Sequence, residues 1–485
     1  MNRKISALAK KIRGKKLLIA SSSEPYIHYY YGGAVQWRAA AGGVATAFDS
    51  LLQAVGGTWV ALGLGNADKD APGLGADGKI KVPPEQNKYV LKRVFASKKE
   101  EEGFLSQSNR GLWPLFHRSY VRPDFSADDW EQYKSVNRKI AEKISEEADE
   151  KTIVWINDYH LSLCAKILKE IRPEAVTGFF WHIPWPAQEI FDVFPWKKEL
   201  LEGMLSNDLL GFHTQAYVKN FLQSAESIPG CRIDNAAGTA EYNGHVSKVR
   251  AFPIGPDSAE ISAYSAGLQE SELNSAKAGF NAADKKLLLG IDRMDYTKGI
   301  SEKIYALDRL FTKKPELAGK IVLVQIAAPT RIGLKEYSEA LEKAVLAAEA
   351  VNKKYSAGEW KPVVFRNEVM PLRQIIPLYK IADACVITSL SDGMNLVSKE
   401  FVAANSGTGI LVLSKFAGSA EELSDSIQIN PFLADDIARG IEEALEMPEK
   451  EKQRRMAAMK KTVLKKDVFG WAGQFIESLQ NETGE

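Results

Sequence analysis

Two cations, Arg293 and Lys298, stand five positions apart in Asp292-Arg-Met-Asp-Tyr-Thr-Lys-Gly299, directly after the apolar run Lys286 to Ile291. At the C-terminal end of a strand such a pair can clamp a diphosphate, Arg through a fork of donors and Lys as a point charge. The same residues admit a second reading, in which Asp292 and Asp295 pair with them as local structural ions. Further along, Ala384 to Thr388 reads as a buried strand and Leu396 to Ala404 as a helix without breakers. Between them Ser391, Asp392, Gly393 and Asn395 turn and cap. A strand, a polar turn and a helix N-terminus form an anion site, because free N–H groups and the helix dipole face one spot. Glu400 lies too far into that helix to cap it. It could accept from ribose hydroxyls, as the acidic residue of dinucleotide folds does, or stand as a solvated glutamate paired with Lys399 or another neighbour.

The first half of the chain offers a different set. Asp158, His160, His182 and His213 each follow a short apolar run, where strands end. A carboxylate and an imidazole there, Asp158 and His182, could hold sugar hydroxyls or handle a proton; a satisfied structural histidine is the competing reading. Pro184 and Pro186 force irregular backbone just after His182, which favours a lining role. Gly42-Gly43 before a helical pattern permits close approach of backbone to a ligand, or is a plain turn. Asp68-Lys-Asp70 has the Asp-x-Asp form of some metal sites but reads as solvated loop acids. Trp113 could stack on a sugar face or sit in a core. Arg331, after another strand, could bind an anion. The sequence has no Gly-x-x-x-x-Gly-Lys-Ser/Thr loop, Gly-x-Ser-x-Gly elbow or His/Cys cluster with metal spacing.

The elements that must position these residues alternate strand and helix, which implies parallel sheets covered on both faces, with ligands at the strand C-terminal ends. The pattern restarts after Pro253-Ile-Gly-Pro256. The expected architecture is α/β, two doubly wound domains facing across a cleft: residues 1–255, then 256–464, with an amphipathic C-terminal segment, 465–482, packing back on the first. Ser97 to Gly103 reads as a charged loop or solvated face. The chain has 485 residues, 63 Lys plus Arg against 62 Asp plus Glu, and 45% hydrophobic residues. Large cores can be buried, and the balanced charge argues against nucleic-acid or membrane partners. Three scattered cysteines point to reduced thiols in the cytoplasm. No apolar run approaches the ~20 residues a membrane helix needs. Oligomeric state is left open, a homo-oligomer included.

Four motifs in order, Asn157-Asp-Tyr-His160, Phe179-Phe-Trp-His-Ile-Pro-Trp-Pro186, Asp292 to Gly299, and Ser391-Asp-Gly-Met-Asn-Leu-Val-Ser-Lys-Glu400, resemble those of trehalose-6-phosphate synthases. The resemblance extends from about residue 16 to 478. It implies a GT-B fold and retaining, metal-independent transfer of glucose from an NDP-glucose, a substrate and not a cofactor, to a small phosphorylated acceptor. It further implies that Arg293 and Lys298 hold the donor diphosphate and that the backbone from Asp392 through Gly393, Met394, Asn395 and Leu396 to Val397 holds donor phosphates and sugar. Asp392 would reach glucose hydroxyls, Glu400 the ribose, His182 the donor sugar, and Gly43 with Gly42 the underside of the diphosphate. Asp158, Trp113 and Arg331 would serve the acceptor. Departures fall on the acceptor side. The family's first strand usually ends Ser-Asn-Arg, that Arg binding the acceptor phosphate, and here Ser23 takes its place. Leu62 replaces a lining Trp, and Phe104 a phosphate-binding Tyr. A glucosylglycerol-phosphate-type acceptor, and a non-catalytic nucleotide-sugar-binding homologue, are the alternatives these departures raise.

Overall fold

The computed structural model describes residues 3–40, 43–282 and 284–481. The chain forms two compact units, one running to Pro253 and resumed from Val468, the other Ile254–Asp467. The first is built on a ten-stranded sheet. Its order is Arg232–Asp234, Thr239–Tyr242, His245–Ala251, Leu209–Phe212, Thr177–Phe180, Thr152–Asn157, Lys16–Ser21, Thr58–Leu62, Tyr89–Val94 and Lys79–Val82. The run from His245–Ala251 to Tyr89–Val94 is parallel, and antiparallel strands flank it. Strand order reverses between Lys16–Ser21 and Thr152–Asn157, so a crevice at their C-terminal ends is where ligands bind in such sheets.

Thr152–Asn157 is buried along its whole length, as its apolar, β-branched composition requires. The last helix, Val468–Asn481, closes this unit. Its Phe475 stacks on Trp155 at 4.2 Å, and Trp471 lies 4.9 Å from the same ring. Gly178 and Gly211 make room for it: a Cβ on either would come within 3 Å of the Phe475 ring, at 2.7 and 2.9 Å.

The second unit has six parallel strands in the order Val363–Arg366, Ile321–Ala328, Lys286–Arg293, Ala384–Ile387, Ile410–Ser414 and Ile427–Ile429. The reversal lies between Lys286–Arg293 and Ala384–Ile387, the two strands that end in the Arg293–Lys298 and Asp392–Glu400 motifs.

Several local expectations are corrected. Of the two readings of Ser97 to Gly103, the solvated face holds and the loop does not. Helix Lys98–Ser106 starts there, because Ser97 and Glu100 form a capping box, Glu100 Oε2 accepting from Ser97 N at 2.8 Å. Asp68 is not solvated; it is 0% exposed, within a buried ion cluster described below. Asp70 is the exposed member of the pair and accepts from Tyr30 Oη at 2.6 Å. Tyr26–Tyr31 and Ala34–Ala39 form a hairpin, turned by Gly32 and Gly33 at φ +58° and +79°. Strand Tyr89–Val94 carries Lys92 and Arg93 in its buried interior, which hid its period from the sequence pattern.

Candidate active site

In the second unit, Asp292 and Asp295 each have a partner further along the chain. Asp292 accepts from buried Lys303 at 2.9 Å, with Gln325 bridging the two at 3.1 and 2.8 Å. Asp295 accepts from Arg331 at 3.0 Å and caps Thr297 through its N–H and hydroxyl, each at 2.9 Å. Burial alone would raise the Asp295 carboxyl; the charges of Arg331, Arg293 and Lys298 outweigh it and hold it below the usual range. Lys298 instead reaches Asp392, Nζ to Oδ2 at 2.7 Å.

That contact depends on how the two turns dock. Thr388 Oγ1 donates to the carbonyls of Lys298 and Gly299 at 3.1 and 2.8 Å, and Leu390 N to Thr297 O at 2.7 Å. Gly299, at φ +60°, sits where a Cβ would meet Thr388 O at 2.2 Å, so only glycine allows the approach. Asp392 Oδ2 also accepts from Ser389 Oγ at 3.2 Å and Asn395 Nδ2 at 3.0 Å. Asn395, left-handed at φ +79°, caps helix Leu396–Ala404 by accepting from Ser398 N at 2.9 Å. The N–H groups of Leu396 and Val397 are at that helix N-terminus, where no intrahelical carbonyl reaches them. Gly393 and Met394 are fixed from behind: Gly418 packs so closely that a Cβ would meet Gly393 O at 2.1 Å, and Ser419 N donates to Met394 O at 2.8 Å. The result is a positive helix end beside a lysine and an arginine at a topological switch point, which suits a diphosphate.

Glu400 is half-buried and does not pair with Lys399. It accepts from Tyr379 Oη at 3.0 Å, while Lys399 donates to Ile254 O at 2.6 Å and pairs with Glu422. Burial raises the Glu400 carboxyl above its ordinary range, with the Tyr379 hydrogen bond opposing. Arg331 belongs to this unit, on Asp295 and over the Tyr337 ring at 5.2 Å. The remaining acceptor-side candidates lie in the first unit.

In the first unit, Asp158 stands at φ +70°, ψ 162°, backbone that is essentially glycine-only territory. Its Oδ1 accepts from Tyr159 N at 3.0 Å and His182 N at 3.2 Å, tying together the ends of two adjacent strands. Asp158→Gly and Asp158→Ala both lose these bonds, but only Ala pays the backbone strain. The Gly variant should be the more stable of the two by about 1–2 kcal/mol, the reverse of the usual order, in urea unfolding. Equal stabilities would show that the backbone relaxes.

His182 is buried among Phe48, Phe180, His213 and Trp471. Asn157 Nδ2 donates to Ala20 O and Trp155 O at 3.3 and 3.1 Å, which turns its Oδ1 toward His182 Nε2 at 3.2 Å. Nε2 therefore carries the proton and Nδ1 is the acceptor. Burial, then the neighbouring His213, depresses its pKa well below the ordinary histidine value, so the ring is neutral. A depressed histidine supplies stability above its unfolded pKa of about 6.5 that is lost as pH falls. Relative to His182→Phe, the wild type should lose up to about 1.4 kcal/mol per pH unit below 6.5. Parallel pH profiles of urea midpoint would refute a buried neutral ring.

Ser23 is exposed, whereas Leu62 and Phe104 are 1% and 0% exposed. Phe104 stacks on Tyr133 at 5.7 Å, and both it and Leu62 are packed in the core. Trp113 is buried against His117 and Tyr159. Sequence patterns gave no sign of the π-helical turn Gln107–Leu112 directly before it, in which the Gln107 amide and Ser108 hydroxyl are buried without hydrogen-bond partners among the described residues. Helix Gly43–Val55 begins at Gly43; Gly42 lies outside the described residues. Among the described residues no cluster of three or more His, Cys, Asp or Glu is placed to hold a metal, and no helix is long and apolar enough to cross a membrane.

Comparison with known proteins follows the same lines. The model of Glycosyltransferase family 20 matches residues 19–481. The chain is 35% identical over 466 residues to the trehalose-6-phosphate synthase of Mycolicibacterium smegmatis, covering 93% of this chain and 90% of that protein. It is 31% identical over 484 residues to the UDP-forming alpha,alpha-trehalose-phosphate synthase of Candida albicans, covering 96% and 98%. A UDP-forming synthase from Burkholderia xenovorans, solved with glucose 6-phosphate, superposes with a TM-score of 0.85 at 28% identity, covering 96% of this chain and all of that one. The E. coli protein bound with UDP-2-fluoro glucose gives a TM-score of 0.85 at 30% identity, covering 96% and 99%. A match that spans both sheets, and both strand-end motifs with them, makes this chain a member of glycosyltransferase family 20, a glycosyltransferase of GT-B fold.

Proposed function

We propose that this enzyme moves glucose, with retention, from UDP-glucose to a small phosphorylated acceptor, with glucose 6-phosphate as the leading acceptor and α,α-trehalose 6-phosphate as the product. The observation that carries this reading is the Lys298–Asp392 contact at the switch point of the second sheet, beside Arg293 and the Leu396–Ala404 helix N-terminus. Donor phosphate replaces or shares Asp392 as the partner of Lys298, and Arg293 takes the second phosphate. Charge on the departing UDP is then spread over two cations and a helix end, the task a divalent ion performs in metal-dependent transferases. Asp392 is left to hold glucose hydroxyls. Glu400, already ordered by Tyr379, accepts from the ribose. Neutral His182 offers an acceptor nitrogen to the sugar, and Asp158 sits beside the incoming hydroxyl. With no paired-carboxylate nucleophile in this scheme, the acceptor attacks from the leaving-group face and UDP takes its proton. The second unit is the donor domain and the first the acceptor domain, and the free cysteines Cys164, Cys231 and Cys385 fit a reducing, cytoplasmic setting.

One observation favours a second reading, a different acceptor such as a glycerol phosphate: exposed Ser23 brings no cation to the turn where the family resemblance implies an Arg. The test is nucleotide release from UDP-, ADP- and GDP-glucose across a panel of sugar, sugar-phosphate and polyol-phosphate acceptors. Highest turnover with UDP-glucose and glucose 6-phosphate is expected. Highest turnover with a polyol phosphate selects the second reading, and no release with any acceptor or water makes the chain a silent binding homologue.

A further inference from the structure

Arg93 is a charged residue in the interior of a parallel-sheet strand, with a side chain 0% exposed. All three of its nitrogens are engaged. Nε donates to Glu24 Oε2 at 2.7 Å and Nη1 to Asp68 O at 3.0 Å. Nη2 reaches Tyr26 O at 2.9 Å, Asp68 Oδ1 at 3.0 Å and His28 Nδ1 at 2.7 Å. A guanidinium only donates, so His28 is the acceptor in that contact. Asp68 in turn accepts from His28 N at 2.8 Å and Gly65 N at 2.5 Å. The cluster therefore ties three segments to one point: the chain just after the central strand Lys16–Ser21, the loop Gly65–Asp68, and the strand Tyr89–Val94.

Its contacts are concentrated on one short stretch. From Ser21 to Tyr26 every residue is buried except Ser23. Trp59 Nε1 donates to Ser21 Oγ at 2.8 Å, and Ser21 Oγ donates to Ser23 O at 2.7 Å. Arg93 holds the other side of the exposed residue through the Glu24 carboxyl oxygen and the Tyr26 carbonyl. Buried ion pairs are a poor source of net stability compared with apolar packing of the same volume, and their best-attested use is to select one conformation. The conformation selected here is the one that presents Ser23.

We propose that Arg93 is a positioning residue for the acceptor, acting through Glu24 and the Tyr26 carbonyl to fix the turn that carries Ser23. This rests on the acceptor-facing role given to Ser23 above. Glu24→Leu removes one arm of the clamp and leaves the Arg93–Asp68 pair in place. At saturating UDP-glucose, with the acceptor the wild type turns over best, it should raise the acceptor KM at least fivefold, with kcat within threefold and UDP-glucose Kd within twofold. Glu24→Gln, whose amide oxygen can still accept from Arg93 Nε, should return KM to within twofold of wild type. Arg93→Lys, which keeps a cation but loses the fork, should shift KM in the same direction as Glu24→Leu. A merely structural role would lower Tm while leaving KM unchanged, or would move KM, kcat and donor Kd together; either result overturns the proposal. If Glu24→Leu does not fold, the Arg93→Lys and Glu24→Gln pair decides it by the same criterion. Amide hydrogen exchange separates the two levels of inference. Faster exchange at Ser22 to Tyr26 in Glu24→Leu, in a protein that releases no nucleotide, would leave the clamp standing and remove the transfer reading. Unchanged exchange would remove the clamp itself.

Discussion

Lys298→Ala is expected to weaken UDP-glucose binding by about 10- to 150-fold, the worth of one charge-assisted phosphate contact of ~1.5–3 kcal/mol. Turnover should fall further, because the charge that Lys298 neutralises grows as the UDP departs. Calorimetric titration with UDP-glucose and with UDP separates the two effects. The structure adds a complication that sharpens the result. Lys298 and Asp392 are each about nine-tenths buried on their side chains, at 9% and 12% exposure, so removing the lysine takes a cation from a buried carboxylate that also accepts from Ser389 and Asn395. Some lost affinity would then come from a misplaced Asp392. Lys298→Ala combined with Asp392→Asn removes that repulsion, and UDP, which has no glucose for Asp392 to hold, reports on the diphosphate contact alone. If the double variant binds UDP within threefold of wild type, Lys298 is a structural partner of Asp392 and not a diphosphate ligand.

The division between what could be read from the chain and what could not follows from sequence distance. Arg293, Lys298 and the cap at Asn395 were legible because each lies within a few residues of the strand or helix that positions it. Lys298 and Asp392 are 94 positions apart, and no pattern in either motif says that one reaches the other. The local alternative, pairing with Asp292 or Asp295, was the less favoured reading but remained open in the sequence. In the structure Lys303, one turn into the following helix, takes Asp292, and Arg331 takes Asp295, whose carboxyl also feels the charges of Arg293 and Lys298. Charges inside strands defeat periodicity in the same way. Tyr89-Val-Leu-Lys-Arg-Val94 does not read as a buried strand until Glu24 and Asp68 are known to meet Arg93, and Glu146 and Glu147 to meet Lys92. By contrast, the capping box at Ser97 and the Gly32-Gly33 hairpin were local signals available in the sequence. The strain at Asp158 has no sequence signature, since nothing about an aspartate announces a φ of +70°. Such backbone persists where the surroundings hold it, here through the bonds of Asp158 Oδ1 to Tyr159 N and His182 N.

Ser23→Arg is expected to raise kcat/KM for glucose 6-phosphate by about 10- to 150-fold, through one added charge-assisted contact of ~1.5–3 kcal/mol to the acceptor phosphate. The surroundings permit it. Ser23 is exposed while its neighbours from Ser21 to Tyr26 are buried, so a long side chain can extend without displacing the core. The adjacent acid would not capture the new guanidinium, since Glu24 is 1% exposed and its Oε2 is already held by Arg93. Burial pushes the Glu24 carboxyl well above its ordinary range, and the cluster's negative charge resides on Asp68, held by His28 and Arg93. The new cation would therefore face the acceptor and not the clamp. The gain should shrink as salt rises from 0.05 to 0.5 M, as a partly exposed ion contact does, where those concentrations span Debye lengths of roughly 14 to 4 Å. Activity with an uncharged sugar acceptor should not rise. No gain with glucose 6-phosphate, in a variant that folds and binds UDP-glucose as the wild type does, would mean that the acceptor phosphate never comes to this turn. Ser23 would then mark a pocket rebuilt for a different acceptor, while the donor residues Arg293, Lys298, Asp392 and Glu400 keep their roles.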